Sequence, residues 1–267
     1  MSDPQQDLQQ PEFVADRKHL HIEQVCNDDD LHMWVYRGTS SRLVISFSGI
    51  GAFGLKVPAY EFVGSASGHG VDSVLFVSEP MRTWLTAPRL IDRIVARANA
   101  VAAAVGATSM CAVGHSMGGF SALVMGKFLP LTSAVAFGPQ YSVHPDVVGD
   151  DSRWSYWRRK IKDHRFLSIE DGLVDTTLYH VFHGMTRAER LQRDRFPMRD
   201  NLFHILVPNT GHGIPQVLRA KGVLHEVVRL ALDNRPKLVR HSLLPLGGRR
   251  RTLAQFPLIP HSSQVPQ

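Results

Sequence analysis

The apolar positions of this chain fall into short blocks whose period switches between two and about 3.6. Residues 19–26 and 31–36 alternate roughly between apolar and polar on either side of Asn27-Asp28-Asp29-Asp30, a pattern that predicts a β-hairpin at a sheet edge. Residues 43–47 and 71–77 are short apolar runs of the kind found in strands buried on both faces. From 90 to 105 the apolar residues stand at 91, 94, 95, 98, 101, 102 and 105, one face of a helix. Thr86 is its candidate N-cap, Pro88 falls in the first turn and Gly106 stands at the C′ position. Further strands are predicted at 110–113, 134–137, 177–182 and 202–207, and further helices at 116–128 and 215–232. Such alternation predicts an α/β domain built on a mostly parallel sheet with helices on both faces.

The pattern fails in three places. Residues 1–12 are rich in Gln, Asp and Pro and are expected to be disordered. A stretch at about 140–175 falls between two core strands, so it is expected to form a short cap beyond the strand ends. Residues 234–267 carry Pro, Gly247-Gly248 and Arg249-Arg250-Arg251, and are expected to be a disordered basic tail. The folded domain proper is then 13–233.

Charge sharpens this division. The formal charge is +6, from 30 Lys and Arg against 24 Asp and Glu. The excess lies after Asn234, in Arg235, Lys237, Arg240, Arg249, Arg250 and Arg251, where no acid balances it. The domain is therefore formally neutral, which argues against a nucleic-acid-binding working surface. The tail could touch an anionic surface weakly. No run of eighteen apolar residues suggests a membrane span, and the polar start lacks the order of a secretory signal. Cys111, in an apolar run, reads as a small hydrophobe, and Cys26 has no evident partner. A cytoplasmic protein is expected. The acidic turn 28–30 reads as solvated, since no further metal ligands stand at loop spacing.

The chemistry concentrates in Gly114-His115-Ser116-Met117-Gly118-Gly119, which lies between a predicted strand and a predicted helix. A serine on such a turn projects its hydroxyl above the sheet edge, and small residues at 114 and 118 permit the close backbone approach this requires. A serine nucleophile needs a base. His212, in the glycine-flanked loop after strand 202–207, is the one among 14 histidines with that placement. The acid that orients the imidazole should follow strand 177–182, where Glu189 and Asp194 are the candidates, Glu189 being nearer the strand. The oxyanion would be met by the amide of Met117 and by one from the Gly49-Ile50-Gly51 turn, most simply that of Ile50.

These motifs in this order resemble the α/β-hydrolase superfamily over about residues 19–232. The resemblance implies an eight-stranded, mostly parallel sheet whose first strands form an antiparallel edge, with the triad in the order Ser, acid, His. The departure is at the acid, because no Asp follows its strand within a few residues.

The implied activity is a serine hydrolase acting on an ester or thioester of a small acyl substrate, with no cofactor and no metal. An acyltransferase would use the same residues. A non-catalytic binding or accessory protein on this scaffold is the alternative from another class. In the cap, Trp154 and Trp157 either line an acyl pocket or pack the cap onto the domain.

Overall fold

A computed structural model describes residues 20–149 and 151–258. The polar stretch 1–12, the first residue of the predicted hairpin (His19) and residues 259–267 lie outside them.

The hairpin forms as strands β1 (Ile22–Asn27) and β2 (His32–Tyr36), paired antiparallel. Its acidic turn is not simply solvated: the Arg93 guanidinium bridges Asp28 and Asp30, the latter at 2.6 Å. After β3 (Arg42–Phe47) come helix α1 (Val63–Ser67), β4 (Ser73–Ser78), α2 (Leu90–Ala104), β5 (Ser109–His115), α3 (Met117–Val124) and β6 (Leu131–Phe137). The cap segment holds α4 (Pro145–Val148) and α5 (Ser155–Arg158), and leads into β7 (Leu178–Gly184). The chain ends in α6 (Arg190–Arg193), β8 (Leu202–Val207), α7 (Ile214–Ala220), α8 (Leu224–Leu232), α9 (Pro236–Leu243) and β9 (Arg249–Arg250).

Strand order is β1-β2-β4-β3-β5-β6-β7-β8-β9. The strands from β4 through β8 in that order are parallel, and β1, β2 and β9 supply the antiparallel edges. The sheet thus has nine strands among the described residues where eight were expected. The extra one is β9, which pairs Arg250 with Ile205 and Arg249 with Leu206.

Period two divides the core. Leu43, Ile45, Phe47, Ala112 and Ala134 face one side with α2 and α3, whereas Val44, Cys111, Val113 and Val135 face the other with α8 and α9. Both cysteines are free thiols, and Cys111 is fully buried.

Three expectations need correcting. The predicted tail is ordered through residue 258: Pro236 opens α9, which buries Val239 and Leu243, and Arg251 is fully buried. The Arg251 guanidinium donates to the carbonyls of Phe196 at 2.7 Å, Asp194 at 2.9 Å and Phe256 at 3.0 Å, so it is unavailable to any external surface. Next, the helix read over 215–232 breaks into α7 and α8, because Gly222 adopts a left-handed φ of 71° between them. Last, Thr86 does not cap α2. Its hydroxyl donates to the Thr83 carbonyl, and Arg89, at φ 61°, immediately precedes the helix. The turn before α2 is organised instead by Glu79, whose carboxylate accepts the amides of Thr83 and Leu85.

Candidate active site

Ser116 links β5 to α3 with φ 57° and ψ −122°, outside the regions L-residues ordinarily occupy. The flanking glycines make this turn sterically feasible. A Cβ on Gly114 would lie 2.2 Å from the Gly118 carbonyl, and one on Gly118 would lie 2.2 Å from the Phe47 carbonyl oxygen. Neither backbone has room to yield. Gly118→Ala is therefore expected to cost about 3 kcal/mol or more in urea unfolding, and a variant within about 1 kcal/mol of wild type would contradict the packing described.

His212 sits in the loop between β8 and α7, against Gly138 and His115 at the ends of the neighbouring strands. Half-buried His115 is pushed down to about 3, first by desolvation and then by the neighbouring His212, so it is neutral. Its Nε2–H donates to the His212 carbonyl at 2.9 Å, which fixes the loop backbone. The His212 imidazole meets Glu189 at 3.5 Å through Nδ1, while its Nε2 is buried and has no hydrogen-bond partner among the described residues.

Of the two acid candidates, then, the one at the imidazole is Glu189. A 3-10 turn, Arg187–Glu189, closes on the Thr186 carbonyl just after β7 and swings the carboxylate back toward the His212 loop. Asp194 points elsewhere: Arg193 holds both of its oxygens, at 2.7 and 3.1 Å. Burial alone would raise the Glu189 carboxyl. The His212 hydrogen bond and the nearby His212, His183 and Arg153 outweigh it and hold the group down to about 2.

Arg153 was not legible as a site residue. Asp151 grips its guanidinium in a fork at 2.9 Å, leaving Nη1 to reach Glu189 at 2.7 Å. Arg153 also lies over the Trp154 ring, which packs 5.1 Å from the His212 ring. The cap thus touches both the acid and the imidazole. Trp157 stands apart, against the Arg82 guanidinium at 4.5 Å. Both tryptophans are partly buried against the core.

The turn after β3 is anchored from below. Buried Arg82 donates to the carbonyls of Ile50 at 3.1 Å, Lys56 at 3.0 Å and Leu55 at 2.6 Å. Met117 opens α3, where first-turn N–H groups have no acceptor within the helix. Glu61 Oε1 accepts the Gly49 amide at 3.3 Å. Burial pushes this carboxyl up to about 7, the Gly49 bond opposing in part. Between its ordinary value of 4.5 and about 7 the group is ionised when unfolded and protonated when folded, so the fold loses stability as pH rises through that window. Glu61→Gln removes this loss. Urea midpoints of variant and wild type should diverge in the variant's favour from about pH 4.5 up to about pH 7, and a constant difference would contradict the assignment.

A second side chain reaches the serine. Gln140, fully buried just beyond β6, donates from Nε2 to Ser116 Oγ at 3.1 Å. Ser116 and His212 are not hydrogen-bonded to each other in this resting arrangement, in which Oγ takes its bond from Gln140. Such contacts commonly tighten only when substrate is bound. The sequence segment after β6 marked this turn as irregular, and nothing in it distinguished Gln140.

No protein-family model matches the sequence, and no curated protein matches it. Solved structures match it in shape. An esterase of Pyrobaculum calidifontis superposes with a TM-score of 0.54 at 12% identity, over 82% of this chain and 85% of its own. The capsule O-acetyltransferase of Neisseria meningitidis serogroup A gives 0.52 at 11% identity, over 77% and 94%. An ester-hydrolase from the metagenome of Lake Arreo gives 0.51 at 11% identity, over 82% and 83%. The chain has the α/β-hydrolase fold. Among the described residues, no helix is long and apolar enough to cross a membrane.

Proposed function

We propose that the protein is a serine hydrolase that cleaves an ester or thioester through an acyl-enzyme on Ser116. One observation carries the reading. The His212 imidazole holds Glu189 on Nδ1 and leaves Nε2 unpartnered among the described residues, at the strand ends beside a serine held at φ 57°. Ionised Glu189 keeps the imidazole proton on Nδ1, which leaves Nε2 as the base. Nε2 takes the Ser116 proton as Oγ attacks the carbonyl carbon, and the oxyanion is met by the amides of Met117 and Ile50. The proton then passes to the departing alcohol or thiol. Water, activated by the same nitrogen, attacks the acyl carbon, releases the acid and returns the proton to Ser116. Trp154 and Trp157 would border a small acyl group, and the reaction needs neither cofactor nor metal.

A second reading, acyl transfer, is favoured by one feature: Ser116 is only 4% exposed, so water reaches the acyl-enzyme through a restricted path. The O-acetyltransferase that shares the fold makes this chemistry plausible on the scaffold. A turnover screen over short and long acyl esters and thioesters, with and without an added alcohol, tests both. Release of free acid supports hydrolysis, and acyl ester formed on the alcohol supports transfer. Folded protein that turns over none of them would point to a binding scaffold instead.

A further inference from the structure

Resting on that reading, we infer that Gln140 is a catalytic residue: its amide Nε2–H donates to Ser116 Oγ, steering the hydroxyl proton away from Gln140 and stabilising negative charge on Oγ as it attacks. The orientation of this amide follows from its other end. Gln140 Oε1 accepts the indole N–H of Trp84 at 2.9 Å, and both side chains are fully buried. An indole N–H can only donate, so the oxygen must face Trp84 and the NH₂ must face Ser116. With one lone pair of Oγ occupied by Gln140 at 3.1 Å, the serine proton is free to turn toward a base. His212 Nε2, in the loop that packs on His115, is such a base without a partner among the described residues.

The amide is held rigidly. His183, neutral because burial pushes it down to about 4, donates from Nε2 to the Pro139 carbonyl at 2.9 Å. Gly138 N–H donates to the Phe182 carbonyl at 2.7 Å, and Tyr141 N–H donates to Gln192 Oε1 at 2.7 Å. The backbone on both sides of Gln140 is thereby fixed, so the donor is in place before Oγ becomes charged. The same bond favours Oγ as the leaving group when the acyl-enzyme is resolved.

The test is the second-order rate of fluorophosphonate labelling of the full chain, measured against pH for wild type, Ser116→Ala, Gln140→Leu and Gln140→Glu. Loss of a donor to a developing charge predicts a drop of about 10- to 100-fold in Gln140→Leu. Gln140→Glu keeps the acceptor for Trp84 and differs by one atom, which guards against a failure of packing. Ionised, the new carboxylate would accept the serine proton itself and oppose charge on Oγ; protonated, it would donate as the amide does. Its rate relative to wild type should therefore climb toward one as pH falls through the carboxyl's own titration. The groups that face the site in both proteins, His212, Glu189 and Glu61 among them, are common to numerator and denominator of that ratio. A flat ratio, or Gln140→Leu within about two-fold of wild type, overturns the role while leaving Ser116 chemistry intact. A wild type that labels no faster than Ser116→Ala overturns the parent reading and this role with it.

Discussion

Ser116→Ala and His212→Ala should each lower ester turnover by about 10⁴- to 10⁶-fold, and the double variant should lose little more than either alone. In the proposed mechanism the two groups act in one proton transfer, so removing either member leaves the other without a task. Ser116→Ala deletes the attacking oxygen. The elbow persists, because the glycines at 114 and 118 rather than the hydroxyl permit it. His212→Ala removes the base but also a ring packed against Trp154 and His115, so its folding needs a check by thermal unfolding. Additive losses in the double variant would mean that the two residues serve separate steps. Rates near wild type in either single variant would remove the mechanism.

Replacing the two carboxylates should separate catalysis from stability. Glu189→Gln puts an amide against His212 Nδ1, loses the charge that fixes the tautomer, and takes from Arg153 the partner now 2.7 Å away. Turnover should fall by roughly 10²- to 10⁴-fold. Because Glu189 is held down to about 2, it stays ionised at any pH above about 4, so its own titration adds nothing to the pH dependence of wild-type turnover in that range. The stability it lends through that lowered value is present above its ordinary 4.5 and is lost as pH falls through about 2. Asp194→Asn should behave in the opposite way. It leaves buried Arg193 without its counter-charge, which costs about 3–5 kcal/mol of stability in urea, while turnover of the folded fraction stays close to wild type. A larger kinetic loss in Asp194→Asn than in Glu189→Gln would reverse the assignment of the acid.

The residues legible in the sequence were those whose placement is local. Ser116 and His212 each follow a predicted strand and are flanked by glycines, so the motif and the element boundary coincide. The candidate acid was only half legible. Both Glu189 and Asp194 follow β7, and the choice between them rests on a 3-10 turn and on the competing Arg193, which spacing does not reveal. Arg153, Gln140 and Glu61 reach the site from three separate loops, and no periodicity carries that convergence. Composition misled at the C-terminus. Gly, Pro and a run of arginines suggested a solvated tail, yet Val239 and Leu243 stand four apart on one helix face, and the carbonyls at the end of α6 capture Arg251. The helix N-cap failed because the helix begins only at Leu90, after Arg89 at φ 61°, and the Thr86 hydroxyl donates back to the Thr83 carbonyl.

The most direct measurement is peptide mapping by mass spectrometry after reaction with a fluorophosphonate probe. A serine whose proton is drawn off by a neighbouring imidazole should carry the phosphonyl group alone among the hydroxyl side chains, so a single adduct on the peptide holding Ser116, absent in Ser116→Ala and strongly slowed in His212→Ala, is the predicted result. Folded protein that takes up no probe, or an adduct on another residue that persists in Ser116→Ala, would contradict it.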